Sequence, residues 1–118
     1  MNVGDYVRTK DGRISKIEDI VDGFVWFDNF IYYTYSGGMD ILNIEKIDEY
    51  IIKSSSNIID LIEVGDYVNG QQVNYVNKKH KEVYAGTEDI TVYEKNIKSI
   101  VTKEQFSQME YKAGDDND

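Results

Sequence analysis

Cysteine and proline are both absent from this chain of 118 residues, and histidine and tryptophan occur once each. Without cysteine there is no disulfide framework, no thiolate metal site and no Cys-His catalytic pair. Without proline, no strand contains a residue lacking its backbone N–H. No apolar run is long enough to span a bilayer, and Met1 leads straight into an ordered pattern without a basic leader. These absences set the expectation of a cytoplasmic protein with no membrane segment.

Ten tyrosines, four phenylalanines and many β-branched residues favour strands instead. Val3-Gly4-Asp5-Tyr6-Val7 recurs as Val64-Gly65-Asp66-Tyr67-Val68. A five-residue identity at that separation implies two related β units, expected over residues 1–56 and 57–118. Each is too small to bury much surface alone, so the two are expected to pack together or to share an oligomer interface.

The first unit reads as strands over Val3–Thr9, Arg13–Ile20, Phe24–Asp28, Phe30–Tyr35, Ile41–Ile44 and Ile47–Lys53. Asp11-Gly12, Asp22-Gly23 and Gly37-Gly38 supply the turns, because glycine accepts positive φ without Cβ strain. The segment Ser54–Asn57 reads as a loop or cap before one helical turn carrying Ile58, Ile59, Leu61 and Ile62. In the second unit Asn69-Gly70 shortens the first hairpin, and matching Val73 and Val76 to Ile14 and Ile17 gives a loss of two residues. Strands follow at Glu82–Ala85 and Ile90–Tyr93, and Ile97–Lys103 echoes Ile47–Lys53. Thr102 and Gln105 have capping-box spacing, with Phe106 and Met109 on one face of the helix they begin and an acidic tail at 114–118.

The run Val3–Val7 followed by Lys10-Asp11-Gly12-Arg13-Ile14 resembles the first hairpin of SH3-like and KOW-type small barrels. The resemblance implies a mainly β fold of two tandem, mutually packed SH3-like barrels or strongly bent sheets with short helical connections. The chain is also similar to small phage and prophage proteins of low-GC Gram-positive bacteria, through 59–68 and 97–111. That similarity implies an accessory or anti-defence role in the host cytoplasm and carries no catalytic residues with it.

Candidate chemistry is sparse. His80 stands alone among Lys78, Lys79 and Lys81 and reads as an exposed loop residue. No EF-hand or zinc spacing, Walker loop or dinucleotide fingerprint occurs, so neither an enzyme, a metal site nor a cofactor is expected. In the repeated Gly-Asp pairs the glycine reads as permitting a tight strand entry and the aspartate as accepting a local backbone hydrogen bond, with Tyr6 and Tyr67 over the barrel mouths.

The partner-binding candidates are Trp26, Tyr32, Tyr33 and Tyr35, bordered by Asp28, Asp40, Glu45, Asp48 and Glu49. Alternation places Phe24 and Trp26 opposite Val25 and Phe27, and Tyr33 and Tyr35 opposite Tyr32. The aromatic segment has two readings, burial between the units or contact with a partner. With 22 acidic against 13 basic residues, the net charge of -9 opposes binding to phosphate backbones and suits a basic protein surface. The expectation is a non-enzymatic protein-binding module, an anti-CRISPR-like inhibitor of a host nucleic-acid-binding enzyme. The alternatives are an RNA- or DNA-associated accessory module using Lys78, Lys79 and Lys81, joined by Arg8, Lys10 and Arg13, and a structural protein that forms homo-oligomers.

Overall fold

The computed structural model describes residues 1–109. The acidic tail and the end of the 97–111 segment lie outside the described residues. The chain is mainly β. The first unit contains β1 (Tyr6–Thr9), β2 (Ile14–Val21), β3 (Phe24–Phe27), β4 (Tyr32–Thr34), β5 (Gly37–Met39), β6 (Ile41–Asn43), α1 (Ile47–Tyr50) and β7 (Ile51–Ser55). After a 3-10 turn at Ile58–Leu61 come β8 (Tyr67–Val68), β9 (Gln71–Asn77), β10 (Glu82–Ala85), β11 (Ile90–Tyr93), β12 (Ile100–Val101) and α2 (Lys103–Met109). A further 3-10 turn precedes α1 at Ile44–Lys46, and its counterpart at Glu94–Asn96 follows β11.

Two five-stranded antiparallel sheets result, ordered β6-β3-β2-β1-β7 and β11-β10-β9-β8-β12. Renumbered within each unit, both read fourth, third, second, first, fifth. The repeated motif is a turn followed by a strand, not the continuous strand expected from Val3. Gly4 and Gly65 have φ of 93° and 99°, which removes both from the sheet. The Asp5 carboxylate accepts the Asn2 N–H at 2.9 Å, and Asp66 accepts the Glu63 N–H at 2.7 Å.

Backbone bonds fix the register of the duplication. Gly4 N–H donates to Ile17 O (2.8 Å) as Gly65 N–H donates to Val73 O (3.0 Å). Ile17 and Val73 also return equivalent bonds to Asp5 O and Asp66 O. Val73 therefore matches Ile17, not Ile14. Tyr6 faces Lys16 whereas Tyr67 faces Gln72, so the hairpin has lost five residues (a span of ten against five), not two. From there the register continues: Asp19, Ile20, Trp26 and Leu42 stand where Tyr75, Val76, Tyr84 and Val92 stand in the second sheet. A bulge falls at the same place in both, after Ile17 and after Val73. The cores follow suit, with Val7, Ile17 and Val25 matched by Val68, Val73 and Val83, all fully buried.

Relative to the second unit, the first is longer at three places. They are the β1–β2 turn, the segment 28–40 carrying the β4–β5 hairpin, and the turn α1 inserted before β7. Two of these change the expected strands. Phe30–Tyr35 is not one strand, because Ile31 dives into the core while its N–H bonds Met39 O. Ile47–Lys53 divides into α1 and β7, with Asp48 and Glu49 in the first helical turn, where the helix dipole favours acids.

The units meet around Arg8, whose side chain is fully buried. It was grouped with the exposed basic residues on sequence grounds, and burial removes it from any nucleic-acid surface. One terminal nitrogen donates to Leu61 O (2.9 Å) and Asp66, and the other donates to Asp66 Oδ1 (3.0 Å) and Glu104 Oε1 (2.7 Å). Burial disfavours the guanidinium charge, but these carboxylates outweigh it and its pKa lies above the ordinary value. Asp66 thus keeps the local role of Asp5 and adds a partner from the other unit. Thr102 caps α2 by exchanging bonds with Gln105, as the spacing predicts, and its hydroxyl also donates to Gly12 O at 2.6 Å. Phe106 stacks on Tyr67 at 4.4 Å, while Met109 is exposed.

Glu63 completes this seam between Lys103 (2.7 Å) and Lys53 (2.8 Å). Those two ammonium groups hold its carboxyl at about 2, well below the ordinary 4.5. A carboxyl lowered on folding stabilises the protein fully above its unfolded pKa, and that contribution disappears as pH falls through the folded value. Acid unfolding between about pH 4.5 and pH 2 is therefore expected to be blunted in Glu63→Gln, as read by urea denaturation at the two ends of that window. An unchanged pH dependence in the variant would contradict this role for Glu63.

Candidate functional site

The three insertions of the first unit enclose one open groove of about 330 Å³. The β1–β2 turn contributes Thr9, Lys10, Asp11 and Arg13, the 28–40 segment contributes Ile31, Tyr32 and Tyr33, and α1 contributes Glu49 and Tyr50. Every lining residue belongs to an insertion or to the strand end beside it. The second unit lacks all three insertions.

Local contacts hold the walls. Tyr32 packs against Tyr50 with centroids 4.8 Å apart, joining the hairpin to α1. Lys10 N–H donates to Tyr50 O at 2.9 Å, joining α1 to the β1–β2 turn. Arg13 pairs with Asp11 at 2.9 Å and lies 4.2 Å over the Tyr33 ring, which closes the circuit back to the hairpin. Gly38 lies flat under the Phe30 ring, so any side chain there would displace it. Phe30 in turn meets Tyr33 edge-on, with centroids 6.2 Å apart.

The groove thus presents ring faces between charged rims. Tyr33 is 62% exposed although it is large and partly apolar. Glu49 lines the groove from α1, and Glu45 and Asp48 are exposed nearby in the chain along the 3-10 turn and α1. On the other side, Asp11 offsets Arg13 and leaves Lys10 as the exposed cation.

The remaining sequence candidates sit elsewhere. Trp26 and Phe24 face outward from β3, on the sheet face opposite Val25 and Phe27. Asp28 is occupied by structure: its Oδ1 accepts the Ser15 hydroxyl and the Lys16 N–H, both at 2.8 Å. Asp40 is exposed at the base of the hairpin, and Tyr35 is exposed at its tip. Of the aromatics of 30–35, Tyr33 borders the second unit, lining a pocket with Arg13 beside Ile100, Val101 and Gln105, while the buried centre of the seam is ionic. Lys78, Lys79 and Lys81 are exposed in the β9–β10 turn.

Arg13, Tyr50 and Lys10 are groove residues that sequence reading did not place there. The usable signal was that the Asp11-Gly12 turn and Tyr50 both lie where the first copy is longer than the second. Among the described residues, no cluster of three or more His, Cys, Asp or Glu side chains is placed to hold a metal, and no helix is long and apolar enough to cross a membrane. No protein-family model, curated protein or solved structure matches the chain.

Proposed function

We propose that this chain is a non-catalytic protein-binding module of two mutually packed SH3-like units, with the groove of the first as its contact surface. One observation carries the reading: three separate insertions, absent from the sister unit, converge on a single aromatic groove. Stability of a small sheet requires none of them, since the second unit forms the same strand order without them. Exposed rings with a charged rim are the composition of an interface centre and its border.

The net charge of -9 and the acidic row Glu45, Asp48 and Glu49 favour a basic partner surface. A nucleic-acid-binding enzyme of the host offers one, and a phage-encoded inhibitor of such an enzyme fits the resemblance in 59–68 and 97–111. Tyr33 supplies contact area, while Asp48 and Glu49 complement the partner's cations.

Affinity capture from the bacterial host, followed by calorimetry on the purified partner, tests the proposal. Wild type is expected to enrich a basic nucleic-acid-processing protein, and Tyr33→Ala/Asp48→Lys to weaken its binding about a hundredfold, the effect of losing an aromatic anchor and a rim charge together. Both substitutions are at exposed positions, so folding is retained. Equal affinity of variant and wild type would overturn the reading, as would a stable homo-oligomer that excludes other partners.

A further inference from the structure

Between its first and last strands, the second unit is longer than the first at the β9–β10 turn. There Lys78-Lys79-His80-Lys81 replaces the two-residue turn Asp22-Gly23 between paired strand ends (Asn77 with Glu82, Val21 with Phe24). The longer turn walls a second pocket of about 320 Å³, whose other side is the β11 end and the 3-10 turn: Tyr93, Glu94 and Lys95. Glu94 N–H donates to Lys81 O at 2.9 Å, and Ile44 N–H donates to Gly23 O at 2.8 Å at the same place in the first unit.

That equivalence exposes a local reversal of charge. Asp22, Gly23, Asn43, Ile44 and Glu45 surround the position in the first unit, whereas His80, Lys81, Tyr93, Glu94 and Lys95 surround it in the second. Two acids have given way to two lysines, an imidazole and one acid, Glu94, in a chain that is otherwise strongly acidic. None of the ion pairs among the described residues uses Lys78, Lys79, Lys81 or Lys95. Lys81 reaches only the amide oxygen of Asn57, at 3.4 Å. The pocket's one carboxylate, Glu94, accepts the Ile59 N–H through Oε2 at 3.1 Å and is thereby tied to the linker. Glu82 follows Lys81 in the chain and is half-buried.

We propose that this pocket binds a nucleoside phosphate, either free or as the end of a single strand. Lys81 and Lys95 receive the phosphate, and the Tyr93 ring, 48% exposed, offers a face for the base. Acids farther than about 8 Å are screened at physiological ionic strength, so the local lysines outweigh the net charge of the chain. The size suits a nucleotide, since small-molecule pockets begin at about 300 Å³. The site is separate from the aromatic groove and stands or falls independently of the protein-binding reading.

Amide chemical-shift titrations of the intact chain with ATP, adenosine, pyrophosphate and a short oligothymidylate test this. Saturable shifts are expected at 78–81 and 93–95, with ATP binding more tightly than adenosine or pyrophosphate. A tighter oligothymidylate identifies a strand end as the source, and a tighter ATP a free nucleotide. Lys81→Glu/Lys95→Glu is expected to weaken binding about tenfold or more, while Lys46→Glu, the reversal of a single exposed lysine on the first unit, leaves it unaltered. No saturable shift with any probe, shifts centred on Arg13 and Tyr33, or equal weakening by Lys46→Glu would overturn the proposal. The wild-type shift map stands as a test even if the double variant fails to fold.

Discussion

Arg8→Met is expected to lower the unfolding free energy by about 3–5 kcal/mol, the cost of breaking a buried ion pair from one side. The substitution keeps an apolar side chain of similar length but leaves Asp66 buried beside Glu104 and Glu63 without their shared cation. The loss is a large fraction of the roughly 5–15 kcal/mol available to a small protein. Arg8→Lys is expected to recover little of it. A single ammonium cannot donate at once to both Asp66 oxygens, Glu104 and Leu61 O as the guanidinium fork does. Even the native arrangement leaves one donor unpaired, because Arg8 Nε is buried without a hydrogen-bond partner among the described residues. Urea denaturation followed by circular dichroism gives the number. A loss below about 1 kcal/mol is the scale of an exposed pair and would mean that Arg8 does not join the units.

Gly12→Ala is expected to cost roughly 2–5 kcal/mol, from left-handed backbone strain together with overpacking. Gly12 has φ 93°, and a Cβ there would overlap the Thr102 hydroxyl and lie 2.7 Å from Glu104 Cβ. Gly23→Ala supplies the control, because Gly23 has φ 82° with nothing within 4 Å of the added carbon. It is expected to lose only the backbone part, about 1–2 kcal/mol. The difference isolates the contact between the β1–β2 turn and α2. Because Asp11 and Arg13 of that turn also line the groove, Gly12→Ala is further expected to weaken partner binding, whereas Gly23→Ala is not. Equal stability losses in the two variants would show that the turn does not bear on α2.

Much of the architecture could be read from local pattern. The alternation of Phe24-Val25-Trp26-Phe27 gave two faces, and the structure buries Val25 and Phe27. The Thr102–Gln105 spacing foretold a reciprocal cap, and the repeated Gly-Asp pair foretold a local backbone bond to its aspartate. These succeed because cause and effect lie within a few residues.

The register of the duplication was harder to read. In a strand, Val73 suits the place of Ile14 or of Ile17, and only the backbone bonds of Gly65 and Asp66 decide. Arg8 misled for a related reason: an arginine between Val7 and Thr9 looks solvent-facing, while its partners lie 53 to 96 residues away. The groove was visible only in part. Tyr32, Tyr33 and Glu49 could be picked out as large or charged, but Arg13 and Tyr50 join them through contacts between insertions that no periodicity reveals. Asp28 looked like a free surface acid and proved to be fixed by Ser15 and Lys16.

The central claim is that the insertions of the first unit form the protein-binding surface, and hydrogen exchange with and without the purified partner tests it most directly. Slower exchange on binding is expected at 9–13, 28–40 and 47–50 together, with the outer face around Tyr75 and Tyr84 unchanged. Protection confined to the second sheet, with those three segments exchanging as in the free protein, would contradict it.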